Sequence, residues 1–566
     1  MLHRSAILTL TVLLMGISDI QAVSAAPEAT ADDVKAQRFV SDHVTRIRPL
    51  EQAAALAWWN ANVTGKDEDF ATKEEAQNRL DAALADPQRF SELKAIKQGH
   101  VADPVLKRQI EVLYLSYLEK QVDPQLLRKI TAKANAIEKA FNAYRATVDR
   151  HEMADSEVRK VLKESDDLPR RKAVWEASKG VGATVEADLK TLVALRNEAA
   201  HTLGFKNYHA MQLHLNEQSQ EQVLTLFDEL DALTRAPFHA AKAEIDTKLA
   251  DNFGLNVADL RPWHYHDPFF QETPAVFKTD LDEAYAKADI LDLCRKFYAG
   301  IGLPIEDVIG RSDLYEKPGK SPHAFCIDID REGDVRVLAN IVPNEYWMGT
   351  MLHELGHSVY SSKNIPRDLP YVLRTEAHIL TTEGVAMMFE KFSKDADWLQ
   401  QMGVKLADPR GFDEAGAKMR KNKLLIFSRW CQVMLRFEKA LYENPEQDLN
   451  ALWWDLVEKY QEVRRPEGRN APDYASKIHI VSAPAYYHNY MMGELFAAQV
   501  HHTIAREVLQ GVDPSKASYV GNPAVGRFLK ERLFGPGRSL TWDDLTRHVT
   551  GQSLNPKAFA LDFQSH

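Results

Sequence analysis

Residues 104–119, PVLKRQIEVLYLSYLE, set Leu106, Ile110, Leu113, Tyr114, Tyr117 and Leu118 at every third or fourth position, with charges between them. That spacing is the 3.6-residue period of a helix with one buried face. The same periodicity runs on to residue 149 and recurs over roughly 34–63, 73–85, 187–203, 220–250, 281–301, 415–443, 450–463 and 484–509. Asp103-Pro104, Gly254, Gly302-Leu303-Pro304 and Asn444-Pro445 mark the breaks, because Pro, Gly and Asn end helices. The expected fold is therefore all-α, with two mainly helical halves flanking a deep cleft. One stretch reads differently. Residues 323–328 and 335–340 are short β-type runs joined by Asp330-Arg331-Glu332-Gly333, a hairpin with Gly333 suited to positive φ. A lone hairpin is marginal unless it packs on something, so it is expected inside the cleft, beside whatever site lies there.

The chemistry-bearing motif follows the hairpin. Pro343-Asn344-Glu345 is a helix start, and Trp347, Met348, Met351, Leu352 and Leu355 give the helix a buried side. His353-Glu354-Leu355-Gly356-His357 lies within it. Histidines four apart stand one turn above each other and can converge on one zinc ion. Glu354 can reach the metal's open position without being a ligand, and there take a proton from the attacking water. A third ligand is expected from Arg374-Thr375-Glu376-Ala377-His378-Ile379-Leu380-Thr381-Thr382-Glu383-Gly384. Glu383 is favoured over Glu376: it opens an apolar helical run, where a buried carboxylate needs a cation. Gly384 lets that helix approach a neighbour. Glu376 and His378 are left as groups that orient the ligands or as solvated residues.

Composition narrows the class. The 566 residues are 45% hydrophobic and 27% charged, ordinary for a chain that buries a large core unaided. A formal net charge of −11 argues against a nucleic-acid partner, which would need a basic excess. Cys294, Cys326 and Cys431 are too few for a disulfide framework and lie poorly for metal binding. Residues 1–26 read as a signal peptide: His3 and Arg4, an apolar run over 6–17, then Val23-Ser24-Ala25-Ala26. The expectation is export to the periplasm or medium, with no membrane span and with 27–566 as one catalytic unit.

Beyond the zinc motif, the chain resembles a known family. His353-Glu354-Leu355-Gly356-His357 with Thr382-Glu383-Gly384 is similar to the gluzincin metallopeptidases. Lys477-Ile478-His479-Ile480 and Pro484-Ala485-Tyr486-Tyr487-His488-Asn489-Tyr490 resemble segments of the angiotensin-converting-enzyme (peptidyl-dipeptidase A) family. Pro322-His323-Ala324 is similar to its His-Ala element. Fainter echoes are Trp59-Asn60-Ala61-Asn62-Val63-Thr64 and Arg196-Asn197-Glu198-Ala199-Ala200. The resemblance implies one zinc per chain on His353, His357 and Glu383, with Glu354 as base. It implies that His323 and His479 hydrogen-bond a substrate carbonyl and that Tyr490 donates to the developing oxyanion. Lys477 and Tyr487 would hold the C-terminal carboxylate of an oligopeptide, so that dipeptides are released, and the Ala324 edge would pair with its backbone.

The sequence also departs from the family. Aligning Tyr487 and Tyr490 needs one inserted residue after His479, which makes Tyr486 a rival for the carboxylate role. Asn489 stands where the family has a chloride-binding arginine, so chloride activation is in doubt. Met387 stands where the family has the aspartate that supports a zinc histidine, so another acceptor must orient His353. Two rival functions remain: an endo-acting oligopeptidase of the thimet oligopeptidase type, and a non-catalytic peptide-binding protein on the same fold. Lys477 separates the first, since an endopeptidase needs no cation for a chain end; the intact zinc motif speaks against the second.

Overall fold

The computed structural model describes residues 30–277 and 280–564; the expected signal peptide lies outside these residues. Helices dominate, and the β structure among the described residues is two small antiparallel hairpins. The fold is all-α, as the periodicity requires. Expected and observed helices coincide for Ala31–Thr64, Gln220–Phe253, Pro409–Glu443, Leu449–Gln461 and His488–Glu507. One large core joins residues from Ile137 to Phe563, and a smaller one gathers Phe39, Ile47, Ile110 and Tyr117 near the N-terminus.

Three helices carry the motif residues. The motif helix, Glu345–Val359, begins where expected: the Asn344 side chain accepts the Trp347 N–H at 2.9 Å. Met348, Met351, Leu352 and Leu355 are fully buried, and the buried Tyr298 hydroxyl donates to Leu352 O at 2.7 Å. The ligand helix, Ile379–Glu390, starts one turn earlier than the sequence suggested, because the His378 Nδ1 accepts the Leu380 N–H at 3.0 Å and caps it. Glu383 therefore lies in its second turn. The tyrosine helix, His488–Glu507, packs on the far side of the ligand helix.

Glycine permits this stack. A Cβ on Gly356 would stand 2.8 Å from Ala386 Cα of the ligand helix; one on Gly384 would stand 2.8 Å from Gly493 O of the tyrosine helix. Both distances are shorter than real Cβ contacts, so any side chain would force the helices apart.

Strands β3 (Phe325–Asp328) and β4 (Val335–Leu338) form the expected hairpin, with Gly333 at φ 107°. It is fastened on two sides. The Phe325 ring packs on Trp58 and Trp59 at centroid distances of 4.2 and 6.0 Å, and Asp328 accepts the Ser362 N–H at 2.9 Å, just past the motif helix. That explains the early Trp59-Asn60-Ala61-Asn62 echo, whose Asn62 carbonyl also accepts the Ser321 N–H at 2.8 Å.

Two expectations fail. The helix expected to run to residue 149 gives way to β1 (Ala146–Val148) and β2 (His151–Met153). Their turn is Asp149-Arg150, both at positive φ (51° and 69°); without Gly or Asn, the sequence carries no hairpin signal there. The stretch expected as a helix over 281–301 holds only one short turn before Ile290–Gly300.

Gly384→Ala tests the close stack: overpacking of this kind typically costs about 1–3 kcal/mol. A lowered Tm in thermal unfolding is expected, together with weaker zinc binding, and an unchanged Tm would mean that the helices yield freely.

Candidate active site

Two histidines, one glutamate and their supports come from the motif and ligand helices alone. His353 and His357 present their Nε2 atoms to each other at 3.2 Å. Glu383 Oε2 lies 3.5 Å from His353 Nε2 and 3.9 Å from His357 Nε2. Among the described residues, these three form the group that could hold a metal ion. In tetrahedral zinc with ~2.0–2.1 Å bonds, ligand atoms stand about 3.3–3.5 Å apart. The donor chemistry and spacing therefore fit zinc, with a few tenths of an ångström to take up on one edge.

The other imidazole nitrogens fix the orientation. His357 Nδ1 lies 2.7 Å from Thr382 Oγ1, and His353 Nδ1 lies 3.2 Å from Glu390 Oε2. With Nδ1–H donating to these oxygens, both Nε2 lone pairs are free for metal. Glu390 is thus the acceptor that Met387 could not supply. Residues 383, 387 and 390 share one helical face, so the carboxylate has moved one turn along and still reaches the same ring. Lys423 backs it at 3.1 Å. Burial opposes the Glu390 charge, but Lys423 and His353 keep its carboxyl well below the usual range.

Glu354 is buried against β3. Burial pushes its carboxyl up to about 7; His353 and the Cys326 N–H pull it down, while Glu383 and Glu390 push it further up. Ala324, Cys326, Glu354, Glu376 and the three metal-site residues line one cavity of about 460 Å³. Glu376 is in that wall but hydrogen-bonds neither histidine, and His378 serves as a helix cap; neither orients a metal ligand.

A second cavity, about 730 Å³, contains Lys477, His479 and Tyr487. Lys477 Nζ donates to Gln271 Oε1 at 2.7 Å and stands 5.6 Å from the Tyr487 ring centroid. Burial lowers its pKa to about 8, with Asp267 opposing. Tyr487, not Tyr486, therefore accompanies Lys477. Tyr490 meets both tyrosines edge-on, at 5.2 and 5.6 Å between centroids, and its phenol is raised first by burial and then by the nearby Glu383 charge. His479 Nδ1 is buried without a partner, and burial with Lys477 beside it lowers the ring to about 4, which keeps it neutral. His323 is exposed ahead of β3, outside the lining of either cavity.

Residues the sequence did not single out hold this second wall in place. Arg196, noticed only as part of an echo, donates to the Ile480 and Val481 carbonyls at 3.2 and 2.6 Å and so fixes the turn carrying His479. Glu438 accepts the N–H of Ala485, which sits at φ 53° within the segment where the inserted residue must fall. Asn489 joins a neutral network, accepting from Gln218 at 2.7 Å, with His488 on the same glutamine. All three cysteines are free thiols.

A helical protein with a His-Glu-x-x-His helix, a downstream glutamate and a buried glutamate base is a zinc metallopeptidase by its architecture. The family model described as angiotensin-converting enzyme (peptidase family M2) matches residues 30–564, and the chain belongs to that family. Similar proteins include the angiotensin-converting enzyme of Theromyzon tessulatum, 19% identical over 88% of this chain and 85% of the relative. Those of Mesocricetus auratus and Sus scrofa are each 22% identical, over 67% and 66% of this chain; the matches span only 31% and 30% of those longer proteins. No described helix is long and apolar enough to cross a membrane.

Glu390→Gln should weaken zinc binding by ~10–100-fold in chelator competition while the fold survives. Adding Met387→Asp should recover much of that loss, and zinc affinity indifferent to both changes would remove Glu390 from the metal site. In the same assay Glu383→Gln loses the metal and Glu376→Gln keeps it; the reverse pattern would mean that the third ligand is Glu376.

Proposed function

We propose that this zinc metallopeptidase is an exported peptidyl-dipeptidase, releasing dipeptides from the free C-termini of oligopeptides. The observation that carries this reading is Lys477, a buried cation whose hydrogen-bond partner is the neutral Gln271 and which stands beside Tyr487 in a cavity that also contains His479. A buried ammonium without a carboxylate is costly, and a peptide's terminal carboxylate would compensate it. An endo-acting oligopeptidase has no use for such a group.

Zinc, when bound, supplies the Lewis acidity that polarises the scissile carbonyl and activates water. Glu354 takes the proton of the attacking water, for which a carboxyl near neutrality is suited, and returns it to the leaving amine. Tyr490 donates its phenolic hydrogen to the developing oxyanion. Neutral His479 hydrogen-bonds a carbonyl beyond the scissile bond, satisfying its orphaned ring nitrogen. Lys477 and Tyr487 fix the chain end, and the open edge at Ala324 aligns the backbone. His323 takes part only if substrate or a loop movement brings it inward. With Asn489 in a neutral network, chloride activation has no cation at that position.

Glu354→Gln should keep zinc and lose ~10²–10⁴-fold in turnover; a wild-type rate with metal bound would rule out this base. For the carboxylate grip, removing one partner of a buried charged pair costs ~2–5 kcal/mol. C-terminal amidation should accordingly lower kcat/KM by ~30-fold or more, at 1.4 kcal/mol per tenfold. Lys477→Ala should slow free-acid peptides yet barely affect amides. The lysine is charged below its pKa of about 8, so cleavage of free acids should fall as pH rises through ~8, and Lys477→Ala should abolish that limb. Equal cleavage of acids and amides would favour the oligopeptidase.

A further inference from the structure

The cavity that holds Lys477 is basic in an acidic protein. The chain carries a formal net charge of −11. Yet Lys163, Lys394, Lys418, Lys423 and Lys477 all line this one cavity, against Glu272 as its carboxylate. Three of these lysines have acidic partners: Lys394 pairs with Glu345 at 2.5 Å, Lys423 with Glu390 at 3.1 Å, and Lys418 with Glu244. None of those carboxylates belongs to the lining. Each pair therefore turns its positive end toward the cavity. Lys163 and Lys477 make no ion pair with a carboxylate among the described residues. The remaining wall is apolar, with Phe277, Phe427 and Met419, and Lys418 Nζ lies 4.7 Å from the Phe277 ring centroid. A concave wall of low polarisability concentrates the field of such charges and raises the local concentration of anions.

The terminal carboxylate of a substrate uses one of these cations. Lys163, Lys418 and Lys423 remain for the side chains that accompany it. Lys423 lies next to the metal site through Glu390, whereas Lys163 lies on the opposite wall beside the segment carrying Glu272. Cations thus face both residues of a dipeptide held between the metal and Lys477.

We propose that the enzyme selects peptides whose C-terminal dipeptide bears an acidic side chain, recognised by this lysine-lined cavity; the proposal rests on the carboxy-terminal mode of cleavage above. Partly exposed pairs are individually weak, but several acting on one carboxylate in a cleft justify a preference of roughly tenfold over a neutral dipeptide.

The test uses the full zinc-loaded enzyme and a series of blocked peptides that differ only in the dipeptide released: Ala-Glu, Glu-Ala, Ala-Ala, Ala-Lys and the Ala-Ala amide. Products are identified by mass spectrometry. The acidic dipeptides should be released with kcat/KM about tenfold above Ala-Ala, and Ala-Lys should fall below it. The Lys163→Gln/Lys418→Gln variant should shrink the acidic-to-neutral ratio to about twofold. Lys172→Gln, an equal change of charge on the exposed Leu168–Thr202 helix, should leave the ratio unchanged. A thermal melt checks the double variant; if it is destabilised, the exposed Lys163→Gln alone should still lower the ratio. Equal rates for acidic and neutral dipeptides in the wild type, or a ratio insensitive to these lysines, overturn the proposal. Failure of the carboxy-terminal reading is a separate result: the amide would then be cut as fast as its free acid, whatever the side chains.

Discussion

The arrangement depends on an excess of buried negative charge that only a metal ion can balance. Glu354, Glu383, Glu390 and Glu494 gather around His353 and His357, and Lys423 is the lysine among them. Without a metal, the protein compensates by holding a proton on His353: burial works against that charge, but Glu383 and Glu390 raise the ring to about 10. His357, buried and beside that cation, is pushed down to about 4. One imidazole carrying a proton and one refusing it is how two equivalent ligands behave when the cation between them is missing. A divalent ion replaces the proton, frees both Nε2 lone pairs and leaves the carboxylates paired.

That electrostatic demand explains why the surrounding helices pack so tightly. Ligand atoms must converge within a few tenths of an ångström, and helices hold side chains to such tolerances only when the backbones themselves are fixed. Gly356 and Gly384 bring the motif, ligand and tyrosine helices to near backbone contact. The same stack carries Tyr490 toward Glu383, so the metal ligands and the oxyanion donor sit on one rigid body. The base is set differently. Glu354 points from the motif helix to the hairpin, and β3 supplies a backbone N–H through Cys326. A marginal two-stranded sheet survives there because Trp58, Trp59 and Ser362 fasten it.

Much of this was legible in the sequence because it is local. Helical period, the i, i+4 histidines and the Asn344 cap are properties of adjacent turns. Glu383 followed from burial logic, and the hairpin from Gly333. Glu390 could also have been found, since it lies two turns from Glu383 on one face. What stayed hidden is long-range. Gln271 reaches Lys477, Lys423 reaches Glu390, and Arg196 reaches Ile480 and Val481, each across a separation that no spacing encodes. The β1–β2 turn was invisible for another reason: Asp149 and Arg150 adopt positive φ without the residues that usually advertise it.

The departures from the family pattern show which constraints are positional and which are geometric. The two histidines cannot move, because their spacing is the helix repeat itself. The carboxylate that orients His353 can move, because any residue on the same face of the ligand helix within one turn still reaches the ring; Met387 occupies the vacated position and Glu390 does the work with Lys423 behind it. At Asn489 the change runs the other way. A buried cation has been lost rather than relocated, and the gap is closed by neutral hydrogen bonds to Gln218 and His488. A neutral network needs no anion to stabilise it, whereas a buried arginine does. The loss of that residue therefore removes an anion-dependent element from behind the tyrosines while leaving Tyr487 and Tyr490 in contact, so the packing of the substrate-facing wall is maintained by side-chain fit and not by a bound ion.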